Sequence, residues 1–461
     1  MTKYDAIVIG TGQAGPSMAT KLAGSGMKTA IIESGKFGGT CVNDGCIPTK
    51  TMVASARAAH VARNAAEYGV VIDGSVSVDM KLVKARKDEI SGKSNKGVEQ
   101  WLKGTDNLTV FEGKGRFESH NTVRVGDELL QADKIFINVG GRAFIPPFPG
   151  LDNIDYLTNE NIMDIDFLPE HLIIIGGSYI GLEFAQMFRR FGSKVTVVEM
   201  ASNIIQREDE DVSNTVLQVL EKEGVKFRLN SECISPEKQP EKEGNEIIVK
   251  LHCSDESKEV RGSHLLLAVG RSPNTKDLGL EKAGIEVDER GFIKVDDQLQ
   301  TNVPGVWALG DCNGQGAFTH TSYNDYEIVA ANLLDDDNRR LSDRIVTYGL
   351  FVDPPLGRVG MTENQARESG RNVLIGKRPM TRVGRAVEQG QTEGFMKVLV
   401  DADSKEILGA AIIGLNGDEV VHSITDIMYA KAPYTVIQRA VHIHPTVSEL
   451  IPTMLGELKP L

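Results

Sequence analysis

Cysteine is scarce in this chain, with five in 461 residues. That is too few for the stapling framework of a small secreted domain. Basic residues are outnumbered, 51 Lys and Arg against 64 Asp and Glu, for a net charge of −13. The balance gives no footprint for nucleic acid or an anionic membrane. No apolar run approaches the length of a membrane span. The N-terminus, MTKYDAIVIGTG, passes straight into a short apolar run with no cleavage site, so a signal peptide is not expected. These absences point to a cytoplasmic globular protein, whose structural thiols stay reduced. The length calls for two to four domains.

Against that background, two of the five cysteines stand close together in GGTCVNDGCIPTK, residues 38–50. Zinc sites commonly use closer spacing and a second ligand pair. The other cysteines, Cys233, Cys253 and Cys312, are scattered, and no metal site is expected. On a regular helix, residues five apart lie ~7.5 Å apart along the axis and ~140° around it. Their Cα atoms are then roughly 8–9 Å apart, beyond disulfide range. Cys41 and Cys46 can meet only across a distorted turn, which Gly45 and Pro48 favour. The alanine-rich periodicity of TKTMVASARAAHVARNAAEYG predicts a helix just after them. Its N-terminal N–H groups and dipole would favour a thiolate. Two inert buried thiols remain the alternative on this stretch alone.

An internal repeat gives the second signal. DAIVIGTGQAGPSMATKLAGSGMKTAIIES, 5–34, and HLIIIGGSYIGLEFAQMFRRFGSKVTVVEM, 171–200, share one plan. Each reads as strand, glycine turn, amphipathic helix and second strand ending in glutamate. Gly10, Gly12 and Gly15 precede Glu33; Gly176, Ser178 and Gly181 precede Glu199. This is the Rossmann dinucleotide fingerprint in its βαβ context, twice. The glycines admit a pyrophosphate at a helix N-terminus, and the glutamate accepts from ribose hydroxyls. A flavin site, a nicotinamide site and a cysteine pair together suggest electron transfer between nicotinamide and thiols through the flavin.

With these motifs in hand, the chain resembles the class I pyridine nucleotide–disulfide oxidoreductases, the family of dihydrolipoamide dehydrogenase and mercuric reductase. The resemblance covers essentially the whole length. GGTCVNDGCIPTK is similar to the family's redox-active centre, with Asp44 where valine is usual. TNVPGVWALGDC resembles the second flavin motif, and FINVGGRAFIPPFPG and VGRSPNT the two crossovers. HIHPTVSE resembles the C-terminal catalytic histidine motif.

The resemblance implies an α/β fold: two Rossmann-like domains, for FAD and NAD, plus a C-terminal α+β dimerisation domain. The implied boundaries are 1–149 (FAD, first part), 150–270 (NAD(P)), 271–340 (FAD, second part) and 341–461 (interface). It further implies a Cys41–Cys46 disulfide, with Cys46 next to the flavin and Cys41 exchanging with substrate. His444, oriented by Glu449, would serve the cysteines of the partner in a homodimer. FAD would contact Gly10, Gly12, Gly15, Glu33, Thr40, Lys50, Gly310 and Asp311. NAD would contact Gly176, Ser178, Tyr179, Gly181, Glu183, Glu199 and Gly270. Tyr179 matches the tyrosine that lies over the flavin until nicotinamide enters. NAD(H) is expected over NADP(H), because Glu199 repels a 2′-phosphate and only Arg207 follows it.

The expected activity is electron transfer between NAD(H) and a small or protein-bound dithiol/disulfide substrate. The alternative is a mercuric-reductase-like reduction of a metal ion or quinone, although no cysteine follows Cys312. Asp44 should raise the thiolate pKa unless it points away. Of the remaining segments, SPEKQPEKEGNE, 235–246, reads as a loop, and DDDNRR, 335–340, as an exposed boundary. FMKVLV and ILGAAIIG read as strands, and Met163 and Met187 as core.

Overall fold

The computed structural model describes residues 1–239, 246–252 and 259–461. The three largest of six sheets organise them. The first is a five-stranded parallel sheet, in the order Val306–Ala308, Lys134–Ile137, Ala6–Ile9, Thr29–Glu33, Leu108–Glu112. Its central strand, Ala6–Ile9, is buried throughout, as an apolar run covered on both faces should be. A four-stranded sheet, which includes Gly115–Ser119, Thr122–Val125 and Glu128–Gln131, packs beside it. Phe117, Val123 and Leu130 from that sheet share a core with Ile7 and Ile9.

The second parallel sheet also has five strands, in the order Tyr156–Leu157, His264–Leu267, His171–Ile175, Lys194–Val198, Lys226–Arg228. Met163 and Met187 lie in its core with Leu172, Ile174 and Phe188. The two sheets repeat one local geometry. Gly10 has φ +104°, and a Cβ there would sit 2.3 Å from the Asn138 carbonyl oxygen. Gly176 has φ +114°, and its Cβ would sit 2.3 Å from the Ala268 carbonyl oxygen. Only glycine can turn from strand into helix at such a close approach. The chain passes between the two units on a paired ribbon, where Gly141–Ala143 runs antiparallel to Arg271–Pro273.

The third sheet is six-stranded and antiparallel, built on Phe395–Asp401 and Ile407–Ile413. All seven residues of each are buried, so FMKVLV and ILGAAIIG are central strands. The polar 235–246 segment is not all loop: Glu232–Lys238 is a strand paired with Ile247–His252. It occupies the edge of a three-stranded sheet, where proline and charge are tolerated. Residues 240–245 of that segment lie outside the described residues. Among the described residues no helix is long and apolar enough to cross a membrane.

Candidate active site

The cysteine loop breaks where the spacing argument requires. A short helix, Gly39–Asn43, carries Thr40 and Cys41 and stops at Asp44. Gly45, at φ −142° and ψ −116°, resets the backbone, and Cys46 opens the helix Cys46–Arg63. A Cβ on Gly45 would lie 2.9 Å from the Thr40 carbonyl oxygen. The break brings the two thiols close enough to shift each other's acidity in opposite directions. Both are free thiols in this structure.

Their environments differ. Cys46 is lowered to about 6, first by the hydrogen bond from Cys41, then by the Thr319 hydroxyl and the Lys50 charge. The Thr319 Oγ1 lies 3.0 Å from Cys46 Sγ. Cys41 is pushed up by its bond to Cys46, by burial and by the neighbouring charge. Of the two, Cys46 is therefore the one that favours the thiolate. Asp44 does not set this balance. Its carboxyl is raised by burial, with opposing influences from the Lys36, Glu160, Asp164 and Lys87 charges, and it is not among the main causes of either cysteine shift.

One turn further along the same helix, Lys50 Nζ donates to Glu183 Oε2 at 2.5 Å. Glu183 is buried on the helix Tyr179–Phe191 of the second unit. Its other oxygen accepts from the Phe351 N–H at 3.1 Å, and Lys50 also sits 4.3 Å over the Phe351 ring. A buried carboxylate with both oxygens bonded is a stable counterion for a cation beside a reacting group.

Both glycine turns are braced by their glutamates. Glu33 accepts from the Thr11 N–H at 3.0 Å, the Thr11 hydroxyl at 2.5 Å and the Gly35 N–H at 2.7 Å. Glu199 accepts from the Gly177 N–H at 2.6 Å and the Ala201 N–H at 2.9 Å. Ser178 is the N-cap residue of Tyr179–Phe191. Gly181 lies inside that helix, where a Cβ would be 2.1 Å from the Gly176 carbonyl oxygen. Gly15 meets the Gly10 carbonyl at the same distance.

Around the first turn, Asn138 accepts from the Gly15 N–H and donates to the Leu309 carbonyl, both at 2.9 Å. Gly310 donates to Asp325 at 2.7 Å. Asp311 is raised by burial and pairs with Arg271 at 3.4 Å, next to Gly270 on the crossover. A Cβ on Gly39 would lie 2.7 Å from the Gly12 Cα. This side-chain-free cradle at a helix N-terminus, with a half-buried acid at its other end, fits a dinucleotide. The residues present therefore suit FAD.

Tyr179 packs edge-on against Tyr348 at 5.6 Å and Phe318 at 6.2 Å. His444 stands apart in the C-terminal unit. Its Nδ1 donates to Glu449 at 3.0 and 2.9 Å, and its side chain is 80 % exposed. Among the described residues, no hydrogen bond or ion pair joins it to Cys41 or Cys46 of its own chain. Val441 and Ile443 beside it are 100 % and 80 % exposed. His442 bonds only locally, to the Ala440 carbonyl at 3.2 Å.

The structure thus gathers Cys41, Cys46, Lys50, Glu183 and Tyr179, and, among the described residues, joins His444 and Glu449 to each other rather than to that group. Sequence reasoning missed Thr319, Asn138, Thr11 and Tyr348. Thr319 and Asn138 act on partners more than a hundred residues away, and no local pattern marks them. Thr11, inside the first fingerprint, could have been suspected.

A family model described as pyridine nucleotide-disulphide oxidoreductase matches residues 4–325. The model for the dimerisation domain of the same family matches 346–455. The chain is 36 % identical to the probable pyridine nucleotide-disulfide oxidoreductase RclA of Escherichia coli (strain K12), covering 100 % of both chains. It is 33 % identical to the dihydrolipoyl dehydrogenase of Thermus scotoductus, over 97 % of this chain and 96 % of that one. Identity with the mercuric reductase of Bacillus cereus is 30 %, over 94 % of this chain and 69 % of that one. The solved structure of the HOCl-induced flavoprotein disulfide reductase RclA from Escherichia coli matches with a TM-score of 0.89 at 35 % identity, over 99 % of this chain and 100 % of that one. The chain therefore belongs to the pyridine nucleotide–disulphide oxidoreductases, as a flavoprotein enzyme that binds FAD and uses a nicotinamide nucleotide.

Proposed function

We propose that the enzyme moves two electrons between NAD(H) and a dithiol/disulfide substrate through Cys41 and Cys46, as a homodimer. The observation that carries this reading is the unequal thiol pair: an acidic Cys46 held by Thr319 and Lys50, beside a protonated Cys41. Bound FAD supplies hydride acceptance from the nicotinamide and electron exchange with the thiols. Gly10, Gly12, Gly15, Glu33, Thr40, Gly310 and Asp311 would hold it, with Lys50 and its counterion Glu183 beside its reactive ring. Gly176, Ser178, Gly181, Glu199 and Gly270 would hold the nicotinamide nucleotide, with Tyr179 at the point of entry.

In the reducing direction the cysteine pair, as a dithiol, acts on a substrate disulfide. Cys41 gives its proton to a base and attacks one substrate sulfur, forming a mixed disulfide and releasing the other, which takes that proton back. The Cys46 thiolate then attacks the Cys41 sulfur. This closes the Cys41–Cys46 disulfide and frees the second substrate sulfur. The second departing sulfur takes its proton from solvent. His444, oriented by Glu449, is suited to carry these protons, and its exposed position on the C-terminal unit favours service to the partner subunit's pair. The exposed Val441 and Ile443 beside it support burial in a dimer interface. The free thiols and paucity of cysteine are in keeping with a reducing, cytoplasmic setting.

Glu199, fixed by two backbone N–H groups, favours a ribose hydroxyl over a phosphate, and so NAD(H) over NADP(H). A second reading, reduction of a metal ion at the thiols, is favoured by one observation: the RclA relative has been solved as a Cu(II) complex. The deciding experiment is a steady-state panel of NADH and NADPH against lipoamide, glutathione disulfide, Hg(II), Cu(II) and a quinone. Lipoamide turnover with at least about tenfold preference for NADH, a discrimination of only ~1.4 kcal/mol, supports the first reading. Turnover of metal ions or quinone alone transfers the assignment to the second.

A further inference from the structure

Behind Tyr179 lies a group of side chains that the reaction as described leaves without a role. Tyr348 donates its hydroxyl to Glu208 at 2.7 Å. Glu208 is fully buried and also accepts from two nitrogens of Arg358, itself 1 % exposed. Arg358 reaches on to Asp209 at 2.9 Å. Asp209 in turn bonds Lys397 at 2.8 Å, and Lys397 also holds Asp211 and Glu363, each at 2.7 Å. The ammonium of Lys397 thus fills the one cluster of three acidic groups, among the described residues, that could otherwise hold a cation. Glu208, Asp209 and Asp211 belong to the second unit. Tyr348, Arg358, Glu363 and Lys397 belong to the third.

The anchored ring is one end of a stack. Tyr348 stacks on Phe318 at 5.7 Å and 14°, and Phe318 on His320 at 5.3 Å and 9°. His320 closes the other end by donating Nε2–H to the Thr347 carbonyl at 2.6 Å. Three rings are therefore clipped at both ends. Tyr179 packs edge-on against two of them, and its buried hydroxyl makes no well-formed hydrogen bond but interacts with that of Tyr348. One wall of this aromatic group is fixed by the ionic lattice, and the ring facing it rests on that wall through ring packing and the Tyr348 hydroxyl.

We propose that Tyr348 and Glu208 are positioning residues for the nicotinamide gate. The buried ionic lattice pins the Tyr348 ring, the pinned ring defines the resting seat of Tyr179, and Tyr179 is the member that gives way. This rests on the reading of Tyr179 as the ring that nicotinamide displaces. A ligand that needs the displaced state binds with an apparent affinity reduced by the fraction of time the seat is occupied. Loosening the seat should therefore tighten nucleotide binding, whereas general structural damage should weaken it. An absent hydroxyl bond corresponds to roughly a two- to tenfold change in such an equilibrium.

The test is calorimetric titration of the oxidised holoenzyme with NAD⁺, for Tyr348→Phe, Tyr179→Ala and the double variant. The expected result is a roughly two- to tenfold lower Kd for Tyr348→Phe, a lower Kd for Tyr179→Ala, and no further effect of Tyr348→Phe in the Tyr179→Ala background. Weaker or unchanged binding in Tyr348→Phe, or additive effects in the double variant, overturns the proposal. If Tyr179→Ala leaves Kd unchanged, the reading of Tyr179 itself fails. Should Tyr348→Phe not fold, Glu208→Ala and Glu208→Gln replace it. The amide keeps an acceptor for Tyr348, so Glu208→Gln should fall nearer the parent than Glu208→Ala, and the reverse order overturns the proposal.

Discussion

Thr319→Val tests the electrostatics of the cysteine pair with the least change of shape. It removes the hydroxyl that lies 3.0 Å from Cys46 Sγ and substitutes a methyl group. A hydrogen bond to a charged acceptor is worth roughly 1.5–3 kcal/mol. Cys46 is exposed in the single subunit, so water replaces part of the lost bond, and the lower end of that range applies. One pKa unit corresponds to about 1.4 kcal/mol. The Cys46 midpoint should then move from about 6 in the parent to ~7 in the variant.

The sign of the pH effect follows from the direction of that shift. The folded state lowers Cys46 from its ordinary value of 9.0, so it favours the thiolate. The stability this gives the reduced enzyme is complete above that ordinary value and is lost as pH falls through about 6. The assay is anaerobic two-electron reduction followed by a pH titration, reading the long-wavelength band of a thiolate beside oxidised flavin. A variant whose band titrates with the parent's midpoint would refute the role assigned to Thr319. So would a parent midpoint close to 9.0, the ordinary thiol value.

His444→Ala should lose roughly 10²–10⁴-fold in turnover with a disulfide or dithiol, the usual worth of a positioned acid–base group. Flavin reduction by NADH, followed by stopped flow, should be little affected. Lys397→Met leaves Asp209, Asp211 and Glu363 without their shared cation. It should destabilise by about 3–5 kcal/mol, seen as a lower thermal midpoint, and an unchanged midpoint would show that the cluster contributes nothing net.

What the sequence made legible was local. The two glycine fingerprints announce themselves because a Cβ at Gly10 or Gly176 would strike a carbonyl of a neighbouring strand. That requirement leaves a mark within a few residues. The cysteine loop is legible for the same reason: Gly45 must break the helix for Cys46 to meet Cys41. Thr319 and Tyr348 left no such mark. Their roles depend on Cys46 and Glu208, brought to them only by tertiary packing. Asp44 misleads in the opposite way. Adjacency in sequence suggests repulsion of the thiolate, but the main influences on the two cysteines are each other, burial, Thr319 and Lys50. The strand Glu232–Lys238 was hidden because an edge position accepts a polar, proline-containing segment.

The most direct test of the central claim is anaerobic reduction of Cys46→Ser and Cys41→Ser beside the parent, with the long-wavelength absorbance recorded at two-electron reduction. The account expects the band in the parent and in Cys41→Ser and none in Cys46→Ser. A protein purified without flavin colour, or a band that survives in Cys46→Ser, would contradict it.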